Sequence, residues 1–156
     1  MTKPGQFTGV TAVREALKKA MQKYASDKQV YVGIPAGAGE VDGTPIAEYA
    51  TYNEFGTATI PERSFLRVPL RQNQDKIRSD FERLLKLVHD DRLTLEQALN
   101  QIGAKAASIS QEAIEAGIAP ENAPSTIAKK GQGKNTLVDT GRMRQSITWV
   151  VRNKGD

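Results

Sequence analysis

The chain contains no cysteine. Disulfides and thiolate metal sites are thereby excluded, and a reducing compartment suits it. It has a single histidine, His89, so no second imidazole exists to complete a common zinc set. Aromatic residues are 6% of the chain against 38% hydrophobic in all, so Ala, Leu, Ile and Val are expected to build the core. No apolar run approaches the roughly 18 residues needed to span a membrane. The first residues, with Pro4 and Gly5 among them, do not make the apolar segment of a signal peptide. These absences point to a soluble cytoplasmic product with no membrane contact.

What is present is 156 residues, which suits one domain. A chain of this size buries roughly two-thirds of its unfolded surface. The net charge of +4 is mildly basic and compatible with DNA or with an acidic protein surface, without choosing between them.

Periodicity sets out the elements. Residues 1–8 are polar and read as a loose N-terminal arm, with a single domain over 9–152. Val13, Ala16, Leu17, Ala20, Met21 and Tyr24 recur at helical spacing and form one apolar stripe, with Arg14, Lys18, Lys19 and Lys23 off it. Val30, Val32 and Ile34 alternate, as in a strand. The glycines of 37–43 lack the spacing of a phosphate-binding loop, and a flexible loop is expected there. Thr44-Pro45 reads as the cap and first residue of a short helix carrying Ile46, Tyr49, Ala50 and Asn53 on one face. Gly56 stands where that helix ends.

A second helical pattern runs over 64–89 and breaks at His89-Asp90-Asp91. Thr94 and Gln97 have the spacing of a capping box, opening a third long helix that stops at Gly117. Residues 118–136 are polar and expected to be a long mobile loop. Residues 146–151 read as a closing strand. The predicted class is α+β, with three to four helices packed on a small, mainly antiparallel sheet containing 30–34 and 146–151.

No set of residues has the spacing of an active site. His89 and its two neighbouring carboxylates diverge on a helix and read as a polar break. Glu48 and Glu54 lie six apart, which is no pairing distance on a helix, and Asp139 beside Arg142 and Arg144 reads as a capping carboxylate. No serine sits in a nucleophile elbow. The chain is therefore expected not to be an enzyme, with no cofactor and no metal. Lys129, Lys130 and Lys134, with Arg142 and Arg144, form basic clusters suited to transient contact with DNA phosphates, though no aromatics are interleaved for stacking on bases.

Two segments carry a resemblance. The first is Tyr52-Asn53-Glu54-Phe55-Gly56-Thr57 followed by Ile60-Pro61-Glu62-Arg63-Ser64-Phe65-Leu66-Arg67. The second is Pro124-Ser125-Thr126-Ile127-Ala128-Lys129-Lys130-Gly131 followed by Leu137-Val138-Asp139-Thr140-Gly141-Arg142-Met143-Arg144-Gln145-Ser146-Ile147. In order, spacing and separation they resemble the neck and tail-completion proteins of long-tailed bacteriophages and prophages, over about residues 29–152. One departure is Ser64, where that family often has proline.

The resemblance implies a structural protein of the virion, acting at the head–tail junction or tail end after assembly in the host cytoplasm. Its implied partners are other neck and tail proteins and further copies of itself in a ring. It implies no catalytic residue. The surfaces expected to make these contacts are Asn53, Glu54, Phe55, Gly56, Thr57, Ile60, Pro61 and Arg63 on one side, with capping and packing within the monomer as the alternative for Asn53, Phe55 and Gly56. Lys129, Lys130, Lys134, Arg142 and Arg144 are expected on the other. A phage accessory protein that binds DNA through the basic loop is the alternative, and a small hydrolase is a third reading.

Overall fold

The computed structural model describes residues 8–130, 137 and 141–155, without the side chains of residues 8–12, 126, 129 and 130. The arm expected over residues 1–7, Lys134 and the Asp139 cap lie outside the described residues. The fold is α+β, as the periodicity predicts.

The spine of the domain is helix α5, Leu95–Ala116, in a chain order whose preceding elements are α1 (Thr8–Tyr24), β1 (Lys28–Gly33), β2 (Glu40–Val41), β3 (Thr44–Pro45), α2 (Ile46–Phe55), α3 (Arg67–Gln72) and α4 (Gln74–His89). After α5 come α6 (Pro124–Lys130), α7 (Arg142–Gln145) and β4 (Thr148–Asn153). The start of α5 is fixed by the expected capping box. Thr94 Oγ1 accepts from the Gln97 amide at 3.1 Å, and the Thr94 amide donates to Gln97 Oε1 at 2.9 Å. Its end is fixed by Gly117 at φ 88°, a conformation that favours glycine.

Each half of α5 serves a different cluster. The first half packs Ala98 and Ile102 against Leu84 and Val88 of α4. The second packs Ala107 and Ile114 with Ile46 and Ala50 of α2, Phe65, Leu137, Met143 of α7 and Ile147. Between the clusters lies the β1–β4 sheet, an antiparallel pair in which Val30 faces Val151 and Val32 faces Trp149. A two-stranded ribbon is marginal alone and needs a helix under it. The contact is made possible by Gly103 of α5. A Cβ there would lie 2.9 Å from Val30 Cγ1 and would collide with the Trp149 ring. Trp149 Nε1 also donates to Asn100 Oδ1 at 3.2 Å.

Four local expectations are corrected. Thr44 and Pro45 do not open a helix by capping. They form β3, paired with β2 across a two-residue turn, Asp42 (φ 51°) and Gly43 (φ 77°). An Asp-Gly pair with both φ positive is the hairpin turn matched to strand twist, and it outweighs the helix-start signal of Thr-Pro. The 64–89 pattern is two helices, interrupted at Asn73, whose amide and side chain both donate to the Pro69 carbonyl. The stretch expected as a loop over 118–136 contains α6, which begins at Pro124, a residue suited to the first helical position. The closing strand runs over 148–153 rather than 146–151, because Ser146 is held at the end of α7 by hydrogen bonds to Arg142 and Met143.

The break after α4 is as expected. Asp90 caps α4, and Asp91 takes φ 57°. Helix α1 exists as predicted, but its apolar stripe is not covered by the domain. Val13, Leu17 and Met21 are 68%, 59% and 65% exposed, so none is a core residue. Among the described residues, the contacts that anchor it lie in its last turn. Lys23 Nζ donates to the His89 carbonyl at 2.7 Å and pairs with Asp91 at 2.8 Å, while the Tyr24 hydroxyl lies 3.4 Å from His89 Nδ1. The Lys23 ammonium, by hydrogen bond and charge, holds the Asp91 carboxyl below its ordinary pKa.

Candidate functional site

The turn that follows α2 is organised by a buried carboxylate. Glu54 is 4% exposed, and its burial is compensated by five donors. Ser64 Oγ donates to Oε1 at 2.7 Å, and the amides of Phe65 and Leu66 donate to Oε2 at 2.8 and 3.0 Å. The Arg67 amide and its Nε both donate to Oε1 at 3.0 Å. The Leu66 and Arg67 amides are orphan donors at the start of α3, whose own flanking residue, Leu66, offers no side-chain cap. Glu54 thus caps a helix from outside it, where a negative charge also meets the favourable end of the helix dipole.

Burial pushes the Glu54 carboxyl up. The hydrogen bonds from Ser64, from the Arg67 and Leu66 amides and from the Arg67 side chain outweigh it, and the net pKa lies below the ordinary carboxylate value. Arg67 extends the arrangement. Its Nη2 donates to the Glu54 carbonyl at 3.0 Å and to Glu62 Oε1 at 2.8 Å, and its guanidinium lies 4.4 Å above the centre of the Phe55 ring. Ser64, where the resembling family often has proline, adds a second function. Its hydroxyl oxygen accepts from the Val68 amide at 3.1 Å while its proton goes to Glu54.

The rest of the turn is fixed by backbone. Asn53 Nδ2 donates to the Tyr49 carbonyl at 2.8 Å, and the Arg63 amide donates to the Asn53 carbonyl at 2.7 Å. The Thr57 amide donates to the Ile60 carbonyl at 2.8 Å. Gly56 sits at φ 73°, with space for a Cβ closed by the Glu62 amide at 3.0 Å. Arg63 is 8% exposed and donates to the carbonyls of Pro120 and Glu121 beyond α5.

Three residues expected to be contact surface are therefore interior braces. Asn53, Glu54 and Arg63 are buried, because each has internal backbone partners that a neighbour would have to displace. Phe55, Thr57 and Pro61 are exposed, and Gly56 and Ile60 are half-buried. Glu48 has no part in a carboxylate pair with Glu54, since it accepts from the Tyr52 hydroxyl.

On the second segment, Arg142 Nη1 donates to the Glu40 carbonyl at 3.1 Å and Arg144 pairs with Glu115. Both guanidinium groups are thus engaged within the chain. Lys129 and Lys130 close α6, and their side chains are outside the described residues, as is Lys134. The two segments of the resemblance meet in space. Phe65 of the first and Leu137, Met143 and Ile147 of the second share the cluster around the C-terminal half of α5.

A groove of about 330 Å³ opens beside the turn, between β1, α2 and α3. It is lined by Val32, Ile34, Ala47, Phe55, Leu66 and Leu70, with Glu54 and Arg67 at its wall. Spacing alone did not reveal it, because its lining comes from three elements. Among the described residues no group of three or more His, Asp or Glu side chains is placed to hold a metal ion.

The class defined by this fold and site is a small α+β domain with a braced, exposed turn beside an apolar groove. No family model, no curated protein sequence and no solved structure matches the chain.

Proposed function

We propose that the chain is a structural protein of a bacteriophage virion, acting at the head–tail junction in neck assembly or tail completion through protein–protein contacts. One observation carries the reading beyond the resemblance itself. Phe65 of the first segment and Leu137, Met143 and Ile147 of the second, separated in sequence by all of α4 and α5, pack in one apolar cluster. Around that unit the exposed groups are those of a contact surface. Phe55 is 59% exposed yet held in place by the Arg67 guanidinium, so it meets a partner with little loss of side-chain freedom.

The reading assigns no catalytic role. Its test is deletion of the coding gene from a phage genome that carries it. The expected result is DNA-filled heads and separate tails that do not join, or tails of defective length. Normal infectious particles from the deletion mutant would overturn it.

A further inference from the structure

We infer that α1 of one copy docks its apolar stripe into the groove between α2 and α3 of a second copy, in a head-to-tail contact. The inference deepens the assembly reading above and rests on it for its biological setting.

Among the described residues, two apolar surfaces are uncovered, one convex and one concave. One is convex: Val13, Leu17 and Met21 of α1 are uncovered, and among the described residues the helix is held through Lys23 and Tyr24. A helix of 17 residues with no packed face is marginal in water and lacks the tertiary contact that normally stabilises it. The other is concave, the apolar groove lined by Val32, Ile34, Ala47, Phe55, Leu66 and Leu70. Laying an amphipathic helix into an apolar groove is a recurrent mode of recognition, read by anchors at helical spacing.

Charge selects the occupant. Helix α1 carries Arg14, Lys18, Lys19 and Lys23 against Glu15 alone. Residues 29–72, which supply all three walls of the groove, contain Glu40, Asp42, Glu48, Glu54 and Glu62 against Arg63, Arg67 and Arg71, a net charge of −2. Of these, Glu40, Asp42, Glu48 and Glu62 are exposed, as are Arg67 and Arg71, with Arg67 ion-paired to Glu54 and Glu62. A basic helix approaching this face is attracted, whereas two α1 helices facing one another repel. The contact joins two different patches, so repetition gives a closed ring or an open filament, and a simple two-fold dimer is not its product.

The absence of native cysteine makes the contact directly testable in the full-length chain. Protein bearing Leu17→Cys is mixed with protein bearing Ala47→Cys under mild oxidation. A disulfide needs Cα atoms within roughly 7 Å, so a mixed disulfide between the two chains reports docking. The expected result is a mixed dimer that outcompetes either self-dimer. Independently, Leu17→Glu should weaken self-association in sedimentation by roughly thirtyfold or more, as for a central interface anchor, with unchanged helical circular dichroism at the domain's melting transition. Lys18→Glu with Lys19→Glu should also weaken it, and Glu48→Lys should restore it.

Four outcomes would overturn the inference. Absence of the mixed disulfide shows that the groove is not the acceptor. Dominant Leu17→Cys self-dimers show α1–α1 pairing. An intrachain bond in a chain bearing both Leu17→Cys and Ala47→Cys shows α1 folding onto its own groove. Wild-type binding to phosphatidylserine vesicles, lost in Leu17→Glu, shows a membrane surface as the occupant. The gene deletion reads separately: a mixed disulfide with a normal deletion phage leaves the docking and removes the virion role, and the converse pair removes only the docking.

Discussion

Arg63 Nε donates to the carbonyl of Pro120 at 2.8 Å, across 57 positions of sequence, and its Nη2 reaches Glu121 at 2.9 Å. The turn after α2 and the segment after α5 are therefore tied together. Arg63→Ala leaves two carbonyls without a charged donor and is expected to cost about 2–3 kcal/mol in urea unfolding. Arg63→Lys should recover only part of that, since an ammonium cannot reproduce the guanidinium fork. Amide exchange at Ile118–Ala123 should quicken in both variants. Unchanged protection there would show that the strap does not order the segment.

Glu54 makes stability depend on pH in a defined direction. Its folded pKa lies below the ordinary value. The stabilisation from its ionised form is therefore complete above the unfolded carboxylate value of about 4.3 and is lost as pH falls through the folded value. Glu54→Gln should cost about 3 kcal/mol at neutral pH, by uncoupling Arg67 and weakening the cap on α3. The gap between wild type and variant should narrow on acidification, because both side chains are then neutral. A constant gap across that range would show that the charge of Glu54 contributes nothing.

Gly103→Ala tests the seat of the sheet on α5. Alanine is the better helix former by about 1 kcal/mol, but the added methyl meets Val30 and the Trp149 ring. Overpacking costs about 1–3 kcal/mol. The net expectation is a loss of about 1 kcal/mol. Trp149 is the chain's single tryptophan, so its fluorescence should shift to the red as the ring is displaced toward water. A stabilised variant with unshifted emission would mean that the ring does not rest on Gly103.

Leu17→Ala and Met21→Ala should each change the unfolding free energy by less than about 0.5 kcal/mol, as surface substitutions do. Leu84→Ala, in the α4–α5 cluster, should cost about 2–5 kcal/mol. Comparable losses at all three positions would place the α1 stripe in the core.

The sequence was most legible where structure is local. The Thr94–Gln97 box, the Gly56 and Gly117 stops and the His89–Asp91 break follow from neighbouring residues, and each is found in place. The alternation of Val30 and Val32 found β1 for the same reason. Glu54 was visible only as part of a motif. Its ligands lie ten to thirteen residues on, across a turn, and no periodicity encodes that geometry. Burial of Asn53 and Arg63 ran against their polarity, because their partners are backbone carbonyls, which leave no trace in side-chain patterns. The α1 stripe shows the converse limit. Helical spacing reports that a face is apolar and leaves open what covers it.

Helix α5 also acts as a ruler. Its 22 residues span roughly 33 Å at the usual rise of about 1.5 Å per residue. One end meets α4, at whose C-terminal corner α1 is pinned, and the other meets α2 and α7. Being a single uninterrupted helix, it keeps those two ends at a constant separation. In copies linked through α1 and the groove, that separation would be common to every copy.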